Sequence, residues 1–249
     1  MMKFLAVWML TCSFSVAMAQ DPDPMPVPSF PEEILATQLS RIMIEDSLAK
    51  KNVLNFCGQL IDVNSRERQR KLQRELNSIS RYSSGLLQRA NYFFPMVEDI
   101  LKEHGIPEDF KYLMVIESGM NPEARSNVGA AGLWQFMSGT AKDYGLRVDQ
   151  KTDERFHIEK STHAACRYLT DAYRKFGDWV AVAQSYNIGQ ARINNELNKQ
   201  QVEEAIDLNL VEETNRYVYR ILATKIIFTH PKNFGLSEGM LYYKKIRRR

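Results

Sequence analysis

Glu117 is the ionisable residue on the last turn of an otherwise apolar helical segment that ends at Ser118. Phe110, Leu113, Met114 and Glu117 are spaced i, i+3, i+4 and i+7, so they share one helix face, and the opposite face is also apolar. A helix that is apolar on every side is buried. Burial and the partial negative charge at a helix C-terminus both raise the pKa of Glu117 above its ordinary value. A carboxyl group that stays protonated near neutral pH can act as a general acid.

The helix alone leaves a second interpretation equally open, in which Glu117 is a buried structural residue paired with an arginine such as Arg125. The loop that follows favours a site, because Gly119 to Gly145 contains five of the twelve glycines. Glycine lets the backbone approach a ligand closely. The same loop carries Trp134, Gln135 and Phe136, whose flat apolar faces and amide suit sugar rings, although aromatic residues in loops are more often part of the core.

In the segments that must position these residues, apolar residues recur mainly with the period of an α-helix. The pattern predicts helices over about 32–50, 64–78, 161–176, 178–187 and 212–229. Asp178 is suited to cap a helix, Gly189 to end one, and Pro95 and Pro107 to occupy first helical positions. Few stretches alternate apolar and polar residues as β-strands do, so the predicted fold class is mainly α.

The N-terminus is typical of an exported bacterial protein. Residues 1–19 combine Lys3, an apolar stretch and small residues before a cleavage point, which predicts a signal peptide. Acylation of Cys12 is the less favoured alternative. We expect a Pro-rich leader and helical extension over 20–82, a catalytic domain over 83–230 and a basic tail over 231–249. Export would place the chain in the periplasm or cell envelope.

Charge and cysteine content exclude some classes of protein. The 33 Lys and Arg residues barely exceed the 30 Asp and Glu residues, and this small excess argues against a nucleic-acid binder. Cys57 and Cys166 could form a disulfide in an oxidising compartment or remain as two buried thiols. His163 and Cys166 have a ligand-like spacing, but two candidates do not make a zinc site. The sequence therefore indicates no metal and no cofactor.

Three motifs in order resemble those of the lytic transglycosylases, bacterial enzymes of the goose-lysozyme-like fold that cleave peptidoglycan. These motifs are ES-x(7)-S-x(2)-GA-x-GLWQF from Glu117, SYN-x-G from Ser185 and ET-x(2)-YV from Glu213. The stretches GLWQFM-x-GTAKDYGL and DERFHIEKSTHAACRYL are most similar to the membrane-bound lytic murein transglycosylase D group. The resemblance covers about residues 94–229, and it departs from the family pattern at Ser138, Ser185 and Ile188.

The resemblance implies a role for each motif side chain. Glu117 would be the only catalytic acid and base, and Ser126 would hydrogen-bond near its carboxylate or the reacting sugar. The cleft and its floor would be formed by Gln135, Tyr186, Asn187, Glu213 and Tyr217. Trp134 and Phe136 would pack behind the loop. The implied architecture is a lysozyme-like domain with an N-terminal helical extension.

The implied reaction cleaves the bond between N-acetylmuramic acid and N-acetylglucosamine without water and leaves a 1,6-anhydro end. The expected partners are glycan strands of peptidoglycan, and envelope proteins are possible further partners. Two rival hypotheses remain open. A hydrolase on the same fold would need a second carboxylate or an ordered water opposite Glu117, and Asp143 and Asp149 are the candidates for the carboxylate. A catalytically inert peptidoglycan-binding protein would have kept the cleft alone.

Overall fold

The computed structural model describes residues 52–236. The expected signal peptide, the Pro-rich leader, the helix predicted over 32–50 and the chain after residue 236 lie outside the described residues. Within this range the chain forms a two-stranded sheet and eight α-helices. The strands are β1 (Val53–Phe56) and β2 (Gln59–Asp62), and the helices are α1 (Arg66–Ser80), α2 (Ser83–Glu103), α3 (Lys111–Ser118), α4 (Ser138–Asp143), α5 (Ile158–Phe176), α6 (Trp179–Ile188), α7 (Gln190–Gln200) and α8 (Glu212–Thr229).

The mainly α prediction is confirmed, and the hairpin of β1 and β2 is the exception that the sequence did not predict. The two strands pair antiparallel around a two-residue loop, Cys57-Gly58. Both loop residues have positive φ, as a type I′ turn requires. Strands of four residues are too short for alternation to distinguish them from a loop. The Gln59 side chain ties the hairpin to α6, because its oxygen accepts from the backbone N–H of Trp179 at 2.6 Å.

Helix α1 packs along α8 and joins the N-terminal segment to the rest of the described chain. Its first turn is capped by Ser65, whose hydroxyl accepts from the backbone N–H of Arg68. Leu72 and Leu76 are fully buried on its inner face. Buried Glu75 accepts from the Arg216 guanidinium of α8 at 2.7 Å, so the charge is paired as burial demands.

Helix α2 corrects one prediction. Pro95 does not begin a helix but lies inside the 21 residues of α2. Its ring has no N–H for the carbonyl four residues earlier, which disfavours an interior position. The helix nevertheless continues, because its apolar stripe from Leu86 to Leu101 is buried along its whole length. Tertiary packing therefore outweighs the local penalty of the proline.

Helix α3 lies between α2 and α8, and all eight of its residues are buried. This confirms the prediction that the helix is buried. Its one lysine, Lys111, is neutralised by Glu98 of α2 at 2.7 Å. Helix α5 packs against α2 and α6, and α6 packs in turn against α8. No helix between residues 52 and 236 is both long and apolar enough to cross a bilayer.

Candidate active site

Glu117 occupies the last turn of α3, and its side chain is only 7 % exposed. The helix ends because Gly119 adopts the left-handed conformation, and Met120 follows it with φ of 60°. The Gly119 carbonyl accepts from Nε of Arg89 on α2 at 2.8 Å. These contacts fix the direction of the chain immediately after the acid.

The surroundings of Glu117 hold its carboxyl close to neutrality. Burial raises the pKa of Glu117 to about 7 and outweighs the opposing effects, which are a hydrogen bond from the Tyr217 hydroxyl to Oε1 and the positive charge of Arg220. Glu213 adds a smaller upward shift of that pKa. Tyr217 and Glu213 both lie on α8, so one helix presents most of the groups that tune the acid. Arg125 is not a partner of Glu117, because its guanidinium lies 4.3 Å from the ring centroid of Phe156.

The loop after α3 is held by its own backbone. Ala131 forms isolated bridges with Arg125 and with Phe136. The Ser126 hydroxyl accepts from the backbone N–H of Ala130 at 2.9 Å. Ser126 therefore stabilises the loop, and the structure does not bring its hydroxyl to the Glu117 carboxylate.

Gln135 and Tyr186 also fix the shape of this loop. Gln135 has a positive φ of 50° and donates through Nε2 to the carbonyls of Gly132 and Ala124, at 2.8 and 3.2 Å. The Tyr186 hydroxyl donates to the Trp134 carbonyl at 2.9 Å. The Trp134 indole is fully buried and donates to Thr162 of α5. The expectation that Trp134 packs behind the loop is confirmed.

A cleft of about 460 Å³ opens beside this loop. Its walls are Gln135, Phe136, Met137, Thr140, Asp143, Tyr144, Tyr168, Tyr186, Asn187, Ile188, Gly189 and Gln190. Phe136 is thus a wall of the cleft as well as part of the packing. The Glu117 carboxyl is not itself a wall residue. Tyr186 connects the two, because it lines the cleft and the Glu117 charge contributes to raising its pKa.

Asn187 and Glu213 meet on the side of the site formed by α6 and α8. Asn187 Oδ1 accepts from the Thr214 hydroxyl at 2.7 Å, and a hydrogen bond from Asn187 lowers the pKa of Glu213, although burial raises it overall. Thus Tyr217 forms a hydrogen bond with Glu117, and Asn187 forms one with Glu213. Gln135, Tyr186 and Asn187 all line the cleft. Ser126 alone stays within its loop.

Several residues around the site were not predicted from the sequence. Arg220 lies three residues after Tyr217 on the same face of α8, and that spacing could have found it. Tyr144, Tyr168 and Gln190 line the cleft, but single aromatic and amide residues on helices carry no signal that separates them from core or surface. Of the two acids considered for a hydrolase, Asp143 lines the cleft, whereas Asp149 is on an exposed loop beside Arg147.

The described residues thus form a mainly α fold in which the buried Glu117 carboxyl, with its raised pKa, lies near a polar and aromatic cleft. In a comparison with known proteins, residues 96–209 match the family described as Transglycosylase SLT domain. The predicted resemblance to lytic transglycosylases is confirmed over this segment.

Individual known proteins are similar to parts of the chain. The chain is 29 % identical over 181 residues to the membrane-bound lytic murein transglycosylase D of Escherichia coli (strain K12), covering 71 % of this chain and 40 % of that relative. It is 41 % identical over 81 residues to the peptidoglycan transglycosylase gp16 of Escherichia phage T7, covering 32 % of this chain and 6 % of that relative. The solved structure of the 70 kDa soluble lytic transglycosylase Slt70 from Escherichia coli has a TM-score of 0.47 at 20 % identity, covering 66 % of this chain and 32 % of that chain. The chain thus spans well under half the length of these proteins.

Proposed function

We propose that this chain is a peptidoglycan lytic transglycosylase. It cleaves the β-1,4 bond between N-acetylmuramic acid and N-acetylglucosamine without water and leaves 1,6-anhydromuramic ends. The observation that carries the proposal is the buried Glu117 carboxyl, whose pKa is raised to about 7 beside a cleft. The SLT domain over residues 96–209 and relatives described as murein or peptidoglycan transglycosylases support the choice of substrate and reaction.

Glu117 serves in both steps of the proposed reaction. In its protonated form it donates to the glycosidic oxygen as the leaving sugar departs. The N-acetyl group of the substrate stabilises the positive charge that develops at the anomeric carbon. The ionised Glu117 then takes the proton of the 6-hydroxyl, whose oxygen closes the anhydro ring. Substrate assistance of this kind removes the need for a second carboxylate, and general acid–base work typically contributes about 10²–10⁴-fold to the rate.

The neighbours of Glu117 suit this exchange of a proton. The Tyr217 hydroxyl hydrogen-bonds Oε1, and this bond stabilises the ionised form after the first step. Burial favours the protonated form before it. Burial outweighs the hydrogen bond and brings the pKa of Glu117 to about 7, so both forms are populated near neutral pH, which is where an acid that must also act as a base works best. Gln135, Tyr186 and Asn187 offer amide and phenolic groups to the N-acetyl and hydroxyl groups of a sugar.

A hydrolase would use a water activated by a second carboxylate. Glu213 is near enough to raise the pKa of Glu117, and Asp143 lines the cleft, so both are candidates for that role. Glu213 accepts from Asn187 and feels the charges of Arg216 and Arg220, which make it a structural acid of α8. The transglycosylase remains the better proposal because the matching family and relatives are described as transglycosylases, with an inert peptidoglycan-binding protein as the alternative.

Digestion of purified sacculi followed by mass analysis of the soluble products tests the proposal. We expect anhydromuropeptides from the unchanged chain and none from Glu117→Gln, while Glu203→Gln, at an exposed position, serves as the matched control. Products with reducing ends would establish the hydrolase. Binding to sacculi without release of any product from the unchanged chain would establish the inert binder. We further propose that the chain acts after export to the periplasm or cell envelope, where its substrate lies.

A further inference from the structure

Two histidines face each other where the end of α2 meets α5. His104 follows the last residue of α2, and His163 lies on the second turn of α5. His104 Nε2 and His163 Nδ1 are 2.8 Å apart, and the two ring centroids are 5.0 Å apart. Both side chains are half-buried. Glu103, the exposed last residue of α2, adds a carboxylate, and one oxygen of it and the two imidazole nitrogens all lie within 4.8 Å of one another.

We propose that Glu103, His104 and His163 form a binding site for one divalent transition-metal ion, with Zn²⁺ as the best fit. Two imidazoles and one carboxylate are a common protein ligand set for zinc, and water can complete the tetrahedron. Mg²⁺ and Ca²⁺ are poorer candidates because they prefer oxygen ligands throughout. The proposal concerns a part of the molecule away from the cleft, and it does not depend on the proposed function.

The geometry requires only a small adjustment. Zinc bonds to imidazole nitrogen are about 2.0–2.1 Å long, so two ligand nitrogens at a tetrahedral angle lie roughly 3.4 Å apart. The His104 and His163 nitrogens must therefore separate by about half an ångström from their present 2.8 Å. Glu103 is exposed and can change its rotamer freely, so it can complete the ligand set without moving the backbone.

The competing explanation is a hydrogen bond between two neutral imidazoles, in which one ring nitrogen donates to the other. That explanation accounts for the 2.8 Å contact between the two imidazoles, but it assigns no role to the nearby Glu103 carboxylate. The sequence spacing of His163 and Cys166 is also ligand-like, although two candidates do not make a site. The three ligand atoms that converge come from Glu103, His104 and His163, and the buried Cys166 thiol is not among them. The two explanations therefore predict different metal behaviour.

A metal ion here would join two helices that matter for the site. From His104 the chain runs through Gly105 to Pro107 and then into α3, which carries Glu117. Helix α5 holds the cleft loop through the hydrogen bond from Trp134 to Thr162. Because none of the three proposed ligands lines the cleft, the ion would stabilise the folded state and would not take part in catalysis.

Zinc titration by isothermal calorimetry tests the proposal, using the tag-free chain after treatment with a chelator. We expect one Zn²⁺ per chain and a rise in Tm when Zn²⁺ is added. His104→Gln and His163→Gln should each weaken binding by more than about 100-fold, since even outer-shell partners of a metal site cost 10–100-fold. His230→Gln and Cys166→Ala are matched controls that should bind like the unchanged chain.

The proposal is overturned if the unchanged chain shows no stoichiometric binding, or if His104→Gln binds Zn²⁺ as tightly as the unchanged chain does. Glutamine keeps a polar group at a half-buried position, and circular dichroism of each variant checks its fold. A measurement without any substitution guards against misfolded variants. With Co²⁺ in place of Zn²⁺, we expect the visible absorption of tetrahedral nitrogen and oxygen ligation. A thiolate-to-metal charge-transfer band would instead identify Cys166 as a ligand and refute the proposed set.

Discussion

Burial keeps the Glu117 carboxyl protonated near neutral pH, but it also lowers the stability of the folded chain at higher pH. Its proton is retained in the folded chain up to a pKa of about 7, whereas an exposed glutamic acid loses it near 4.5. Between these values the unfolded state releases a proton that the folded state keeps. Stability therefore falls as the pH rises through this window. A site that needs a protonated acid at neutral pH is one that destabilises its own fold at higher pH.

Glu117→Gln removes this ionisation, and we expect the variant to be more stable than the unchanged chain above pH 4.5. The gain should grow up to about pH 7 and level off near 3 kcal/mol, since one pKa unit corresponds to about 1.4 kcal/mol. Urea unfolding at several pH values measures it, with Glu203→Gln, at an exposed position, as the matched control. A difference that stays constant from pH 4.5 to 8 would show that the pKa of Glu117 is not raised.

Tyr217→Phe should move the pH dependence of activity in a defined direction. The Tyr217 hydroxyl stabilises ionised Glu117, so its loss raises the pKa of Glu117 further. Because the first step needs the protonated acid, the alkaline fall in activity should shift to higher pH, with a lower maximal rate. The rate of sacculus digestion across pH 5–9 measures this shift. Tyr219→Phe, on the same helix but beside Lys71 of α1, is the matched control and should leave the profile in place.

The residues of the site were predictable to different degrees. Glu117 was predictable because an ionisable group on a helix apolar on every side must have a reason to be buried. The pairing of Glu117 with Tyr217 spans 100 residues of sequence, and only the family motifs brought the two into one hypothesis. The hydrogen bond that Ser126 accepts from the Ala130 N–H could not be foreseen, because a serine in a loop can bond its own backbone as readily as a ligand.

At the scale of elements, the residues that cap and end helices were predicted correctly from the local sequence. Asp178 caps α6 as predicted, by accepting from the backbone N–H of Ala181 at 2.8 Å, and His230-Pro231 ends α8. Pro95 was misplaced because the burial of α2 against its neighbours is a tertiary effect. The hairpin of β1 and β2 was missed because strands of four residues are too short to show a clear alternation, and the contact of Gln59 with the start of α6 is tertiary.

The loop after α3 is shaped by a close approach that only glycine permits. A Cβ at Gly132 would lie 1.9 Å from the carbonyl oxygen of Arg155, and φ there is +79°. We expect Gly132→Ala to lose several kcal/mol of stability, because backbone strain of roughly 1–3 kcal/mol adds to an overpacking cost of similar size. Gly129→Ala is the matched control, since its φ is +90° but a Cβ there has open space. Thermal unfolding of both variants measures the difference, and equal losses would mean that strain alone governs the loop.

At the scale of the whole molecule, the segment before residue 83 contributes to the same core as the helices after it. Leu54, Phe56 and Ile61 of the hairpin are buried with Leu72 and Leu76 of α1 in one continuous apolar cluster. Ion pairs reinforce the contact across α8, notably that of Glu75 with Arg216. A boundary near residue 83 divides the sequence by resemblance, but the packing gives no reason for the two parts to unfold separately.

Leu72→Ala tests whether the described chain unfolds as one unit. Leu72 is fully buried between α1 and its neighbours, so the cavity should cost about 2–5 kcal/mol. If unfolding is cooperative, circular dichroism and tryptophan fluorescence should report the same lowered Tm, because Trp134 is buried far along the chain against α5. Leu60→Ala, at a position that is 67 % exposed, should leave both transitions unchanged. An early loss of helix signal that precedes the fluorescence change would instead show that α1 unfolds as an independent extension, and the cleft would then not depend on it for stability.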